Sequence, residues 1–124
     1  IEHKPEVYRG ENCTYLVIYN LIGFDYHWFH PSSRSALVDP ETGDRYMVRY
    51  MEHFALDTYH WIHGQLGKVM RRIAVYPPLP EHIKKIDYSS GEIPAADRLS
   101  NVAPHREYHD LEVKETMPSN QTIY

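Results

Sequence analysis

The segment Asp39-Pro40-Glu41-Thr42-Gly43-Asp44 stands between Ala36-Leu37-Val38 and Arg45-Tyr46-Met47-Val48, and no other feature constrains the fold as tightly. Proline presets the backbone angle of the first corner of a type I turn. Glycine takes the left-handed position that closes the turn at no steric cost. Both flanks carry the alternation of half-buried strands, so the spacing predicts an antiparallel hairpin with strands over residues 35–39 and 45–50. In the second arm Tyr46, Val48 and Tyr50 share the face expected to meet the core, and Met47 and Arg49 share the other.

The rest of the chain agrees with that start. Eleven tyrosines and nine prolines suit pleated sheets and tight turns better than helices. Between Cys13 and Asn20 the apolar positions are continuous, with Tyr15, Val17 and Tyr19 on one face and Leu16 and Ile18 on the other, which predicts a central strand covered on both sides. Further strands are expected over 26–30, stopped by Pro31, over 69–76, stopped by Pro77-Pro78-Leu79-Pro80, and over 83–88 with Ile86 and Tyr88 facing inward. Residues 51–67 read as a crossover or long loop. The fold class is all-β, in a chain of 124 residues that is the size of one domain.

Beyond Gly91 the composition changes. A short helix over 94–99 and a last strand over 108–113 are expected, in a segment too polar to order itself. The division is therefore a body over 1–91 and an extension over 92–124 packed on the body or on a neighbouring chain. An exposed sheet edge is the natural acceptor for residues 108–113, within the chain or across a homodimer.

Thirteen basic and 17 acidic residues give a net charge of −4, with no basic cluster beyond Arg71-Arg72 and Lys84-Lys85, so no nucleic-acid partner is indicated. No apolar run reaches transmembrane length. Cys13 is the single cysteine and cannot form an intrachain disulfide; in an apolar strand its thiol reads as inert packing. Ser32, Ser33 and Ser35 lack the Gly-x-Ser-x-Gly context of an activated nucleophile, and no glycine loop or cofactor motif is present. The expectation is a protein that is not an enzyme and has no cofactor.

The candidate site is a near-repeat. Tyr26-His27-Trp28-Phe29-His30 returns as Tyr59-His60-Trp61-Ile62-His63, carrying both tryptophans and four of the nine histidines. The His-x-x-His spacing serves a metal only on a helix, because on a strand residues three apart point to opposite sides. A four-histidine zinc site would need both segments to leave strand geometry, so no metal is assigned. Trp28, Trp61 and the tyrosines beside them could form a stacking platform for a sugar or an aromatic ligand, although rings this large more often fill a core. Tyr26, His27, Trp28, His30, Tyr59, His60, Trp61 and His63 are the candidate ligand-binding residues. The residues do not name the protein or small ligand that would be the partner.

Three features carry a family resemblance: Ser35-Ala36-Leu37-Val38-Asp39-Pro40-Glu41-Thr42-Gly43-Asp44-Arg45-Tyr46, then Leu56-Asp57, then Val75-Tyr76-Pro77-Pro78-Leu79-Pro80 with Ile86-Asp87 downstream. Over about residues 7–90 the chain resembles the small immunoglobulin-like β-sandwich domains of exported bacterial proteins, a group of largely unknown function sometimes attached to thioredoxin-like domains. The resemblance implies an antiparallel immunoglobulin-like β-sandwich with a long C-terminal extension, placed in the periplasm or at the cell surface as a non-catalytic binding or accessory module. It transfers no catalytic residue, and the two pentapeptides lie outside its pattern. The alternative is a metal- or carbohydrate-binding domain using residues 26–30 and 59–63.

Overall fold

The structure, a computed structural model, describes residues 4–23, 26–91 and 106–115. Regular structure among them is all β. The strands are β1 (Glu6–Arg9), β2 (Thr14–Leu21), β3 (Tyr26–Phe29), β4 (Ala36–Val38), β5 (Arg45–Met47), β6 (Tyr50–Met51), β7 (His60–His63), β8 (Val69–Tyr76), β9 (Lys85–Ser89) and β10 (Glu107–Lys114). Eight of them form one sheet in the order β5-β4-β9-β10-β1-β2-β8-β6, and β3 and β7 form a separate two-stranded ribbon. No described helix is long and apolar enough to cross a membrane.

The eight-stranded sheet has to roll. Its two outermost strands, β5 and β6, are separated in sequence only by Val48 and Arg49. Eight strands side by side span about 34 Å when flat, whereas the three steps from Met47 to Tyr50 reach about 10 Å. The edges are therefore drawn together into a half-barrel. Residues 45–51 bind β4 at their start and β8 at their end, with the Val48 amide donating to Ser35 O at 3.0 Å and the Arg49 amide to Val75 O at 2.7 Å. The pairing is antiparallel throughout except between β1 and β10, which run parallel with Val7 opposite Val113.

The concave side holds the core: Val7, Leu16, Ile18, Leu37, Ala74, Tyr76, Ile86, Leu111 and Val113 among others. Tyr76 is fully buried, and its hydroxyl shares a hydrogen bond with Ser35 Oγ. The convex side of β1, β2 and β8 carries a smaller cluster of Tyr8, Val17 and Ile73 with Tyr15 and Tyr19 packed on it. This is the two-sided strand that the apolar run in β2 implied. Among the described residues, tyrosine rings cover its outer face. The proline-rich turn after β8 is tied down by Arg9, whose guanidinium donates to the carbonyls of Leu79, Pro80, Glu81 and Ile83.

The hairpin at residues 39–44 closes as its turn chemistry requires, with the Gly43 amide donating to Asp39 O at 2.8 Å and Gly43 at φ 79°. Its second arm departs from expectation. It is two strands, and the chain changes sheet edges between them. The change breaks the alternation, so Met51 is buried in place of Tyr50, which is 53% exposed. Residues 51–67 are not all loop, since they contain β7, and β1 is a strand that no sequence signal marked. The C-terminal strand β10 lies between β9 and β1 inside the sheet, with a bulge between Tyr108 and Leu111 and Asp110 at φ 57°. The helix expected over 94–99 lies outside the described residues.

Candidate functional site

The two pentapeptides meet each other. They are β3 and β7, paired antiparallel with Tyr26 opposite His63, His27 opposite Ile62, Trp28 opposite Trp61 and Phe29 opposite His60. Alternating aromatic residues favour the pleated backbone, and Pro31 ends β3 because it has no amide to donate. The side chains of Tyr26 and His27 lie outside the described residues.

Strand alternation then sorts the ribbon into two faces. Phe29, His60 and Ile62 turn toward the half-barrel. Phe29 is buried and stands edge-on to Phe54 with ring centroids 4.8 Å apart, His60 lies 5.3 Å from Phe29, and Ile62 and Phe54 pack on the main core. Arg72 of β8 points inward beneath this face: its Cζ sits 4.9 Å over the Phe29 ring, and its Nη2 donates to Asn20 Oδ1 at 2.6 Å. The cation is held by an amide and an aromatic face.

The opposite face holds Trp28, Trp61 and, just outside the strands, Tyr59 and His30. Ring centroids are 5.4 Å apart for Trp28 and Tyr59, 6.3 Å for Trp28 and Trp61, 6.5 Å for Tyr59 and Trp61, and 4.6 Å for His30 and Tyr59. Tyr59 and Trp61 are the near-parallel pair, 29° apart. Trp61 is 48% exposed and Trp28 half-buried. The expectation that both indoles fill the core is corrected here. The two-stranded ribbon buries one face against the half-barrel, and Trp61 lies on the other. At the edge of β7 a pocket of about 400 Å³ opens beside Trp61, with Ile22, Phe54, Ile62 and Met70 among its apolar lining and His63 and Gln65 its polar members.

The same register separates the histidines. His60 belongs to the inward face, together with backbone position 27, and His30 and His63 belong to the outward face at opposite ends. His60 Nε2 lies 2.8 Å from Ala55 O, a carbonyl that can only accept, so this nitrogen carries the proton and offers no lone pair. Among the described residues no group of three histidine, cysteine, aspartate or glutamate side chains is placed to hold a metal ion.

A residue absent from the candidates joins the outward end. Asp57 adopts φ 60°, its amide donates to Pro31 O at 2.6 Å, and its Oδ1 accepts the Ser33 amide at 2.9 Å. Hydrogen bonds from the Ser33 side chain and amide hold its carboxyl below the usual carboxylate range, with a smaller contribution from the neighbouring His30. Ser33 therefore bonds to a carboxylate, not to an imidazole, and the trio lacks the base-to-nucleophile contact of a hydrolase. Leu56-Asp57 was conspicuous in sequence only as part of the family resemblance; nothing there marked its proximity to His30. Cys13 precedes β2 rather than lying inside it, half-buried. A hydrogen bond and charge repulsion from Cys13, with some burial, push the Tyr15 phenol up to about 12.

No family model, curated protein or solved structure matches the chain.

Proposed function

We propose that the protein is a non-catalytic binding module whose ligand lies on the outward face of the β3–β7 ribbon and stacks a flat apolar ring on Trp61. The observation that carries this reading is an indole 48% exposed on a rigid support of Trp28 and Tyr59. Aromatic packing beneath the exposed ring contributes about 0.5–1.5 kcal/mol per pair and fixes its orientation before any ligand arrives. A ligand covering such a ring gains stacking and apolar burial with little loss of side-chain freedom. The separation of the histidines onto two faces favours this platform over the metal alternative.

The resemblance carried by residues 35–46 and 75–80 supports reading the half-barrel as a variant of the immunoglobulin-like sandwich, and the module as part of an exported bacterial protein at the periplasm or cell surface. The rolled sheet supports an accessory role, since it supplies a stiff base and leaves the ribbon on one side of it. The test is a tryptophan fluorescence titration with three probes: neutral oligosaccharides, uronic-acid oligosaccharides and a proline-rich peptide. At least one is expected to quench or shift the emission saturably, with Trp61→Ala abolishing the response. Emission unmoved by all three, or a response that survives Trp61→Ala, overturns the reading.

A further inference from the structure

The outward ladder ends in two polar groups that stacking leaves unused. His30 stands edge-on to Tyr59, its Nδ1 is buried without a hydrogen-bond partner, and no described residue bonds to its Nε2. A buried N–H without an acceptor is costlier than a buried lone pair. The favoured tautomer therefore carries its proton on Nε2, so the ring offers a donor there. Asp57 supplies the complementary acceptor. It is exposed, its Oδ1 is anchored by the Ser33 amide, and it makes no salt bridge with a described residue.

We propose that the ligand of the ribbon is a neutral carbohydrate, with one sugar ring stacked on Trp61 and a hydroxyl of the neighbouring sugar held between His30 Nε2 and the Asp57 carboxylate. The proposal rests on the stacking reading and narrows it to a ligand class. A pyranose has an apolar C–H face and a rim of hydroxyls, each of which donates and accepts. A donor beside an acceptor satisfies such a hydroxyl in both directions, whereas a ligand without hydroxyls would cover both groups and leave them unpaired. Rungs along a strand repeat at about 6.7 Å, so the step from the Trp28–Trp61 rung to the His30–Tyr59 rung suits adjacent residues of an oligosaccharide. The ionised Asp57 carboxylate repels uronic acids, which makes the preferred sugar uncharged.

Cellohexaose, chitohexaose, xylohexaose and mannohexaose are the probes, titrated by calorimetry and tryptophan emission against a proline-rich peptide. At least one of the four is expected to bind with an affinity insensitive to salt. Asp57→Asn, which keeps the oxygen that meets Ser33, and His30→Phe, which keeps the ring against Tyr59, should each weaken it at least tenfold while leaving peptide affinity unchanged. If a sugar binds through Trp61 but neither variant changes its affinity, the polar clamp is wrong and the stacking reading stands. If only the peptide binds, and Trp61→Ala abolishes that binding, the carbohydrate class is wrong and the stacking reading again stands. Binding of none of these probes removes the neutral-carbohydrate proposal, and an unmoved emission with uronic-acid oligosaccharides as well removes the stacking reading with it. Should Asp57→Asn prove unstable in a thermal melt, the His30→Phe comparison decides alone.

Discussion

Leu111→Ala tests whether the last strand is structural. Leu111 is 2% exposed in β10, opposite Ile86 of β9, and Val113 two residues on is 6% exposed opposite Val7 of β1. Truncating a buried leucine costs about 2–5 kcal/mol, and the cost is highest where the surroundings cannot close the void. Here β10 is hydrogen-bonded on both sides, to β9 and to β1, and cannot slide inward. The upper half of the range is expected, about 3–5 kcal/mol, against a whole-domain stability of about 5–15 kcal/mol. For a chain of this length that lowers the melting temperature by roughly 10 °C or more. Urea unfolding followed by far-UV circular dichroism gives the difference directly, provided the m-value is unchanged. Glu112→Ala on the exposed side of the same strand is the control and should stay within about 0.5 kcal/mol of the parent. A Leu111→Ala protein as stable as that control would refute the placement of β10 in the sheet. Truncation after Gly91 carries the same argument further, because it opens the facing edges of β9 and β1 and should produce aggregation.

Two glycines at positive φ separate strain from space. Gly91→Ala places a Cβ 2.7 Å from Arg34 C at φ 76° and should cost about 2–3 kcal/mol, whereas Gly43→Ala at φ 79° meets nothing within 4 Å and should cost about 1 kcal/mol; paired thermal melts giving the reverse order would contradict the geometry. The lowered Asp57 pKa predicts a stabilisation present above the ordinary aspartate range and lost as pH falls through the folded-state value. The stability difference between the parent and Asp57→Asn should accordingly hold steady from about pH 7 to 5 and shrink below about pH 4; a difference unchanged on acid titration to about pH 2.5 would count against the Ser33 hydrogen bonds. Zinc should show no stoichiometric micromolar site by calorimetry, given histidines divided between two faces; such a site, abolished by His60→Ala, would overturn that division.

Local chemistry was legible where it was self-sufficient. The 39–44 turn carries its own Pro and Gly, and β8 spans the 69–76 that its apolar pattern and the following prolines delimit. Non-local pairing was not. Nothing in Val7-Tyr8 or in Leu111-Glu112-Val113 announces that the two ends of the chain lie side by side in parallel, because that contact depends on how the sheet rolls. Tyr50 was misplaced for a related reason. Alternation is reliable only within one strand, and the chain passes from β4 to β8 at Val48 and Arg49.

The likeness of the two pentapeptides held more information than their composition. Two segments of one pattern, paired antiparallel about their centres, put Trp28 opposite Trp61 and set Tyr26 opposite His63 and Phe29 opposite His60 on either side. Such a ribbon cannot bury both faces unless a further layer covers it. The face carrying Phe29 and Ile62 takes the half-barrel, since that contact joins apolar groups to the main core. Trp61 belongs to the other face by strand geometry alone, and its exposure follows from the pairing. Exchanging the faces through a one-residue slip of β7 would turn Trp61 and His63 inward and Ile62 outward. The slip would also break the His60 hydrogen bond to Ala55 and the Phe29–His60 contact. The register that stabilises the inward face is thus what presents the indole outward, and a change that loosens Phe29, such as Phe29→Ala, should weaken ligand binding at Trp61 without touching it.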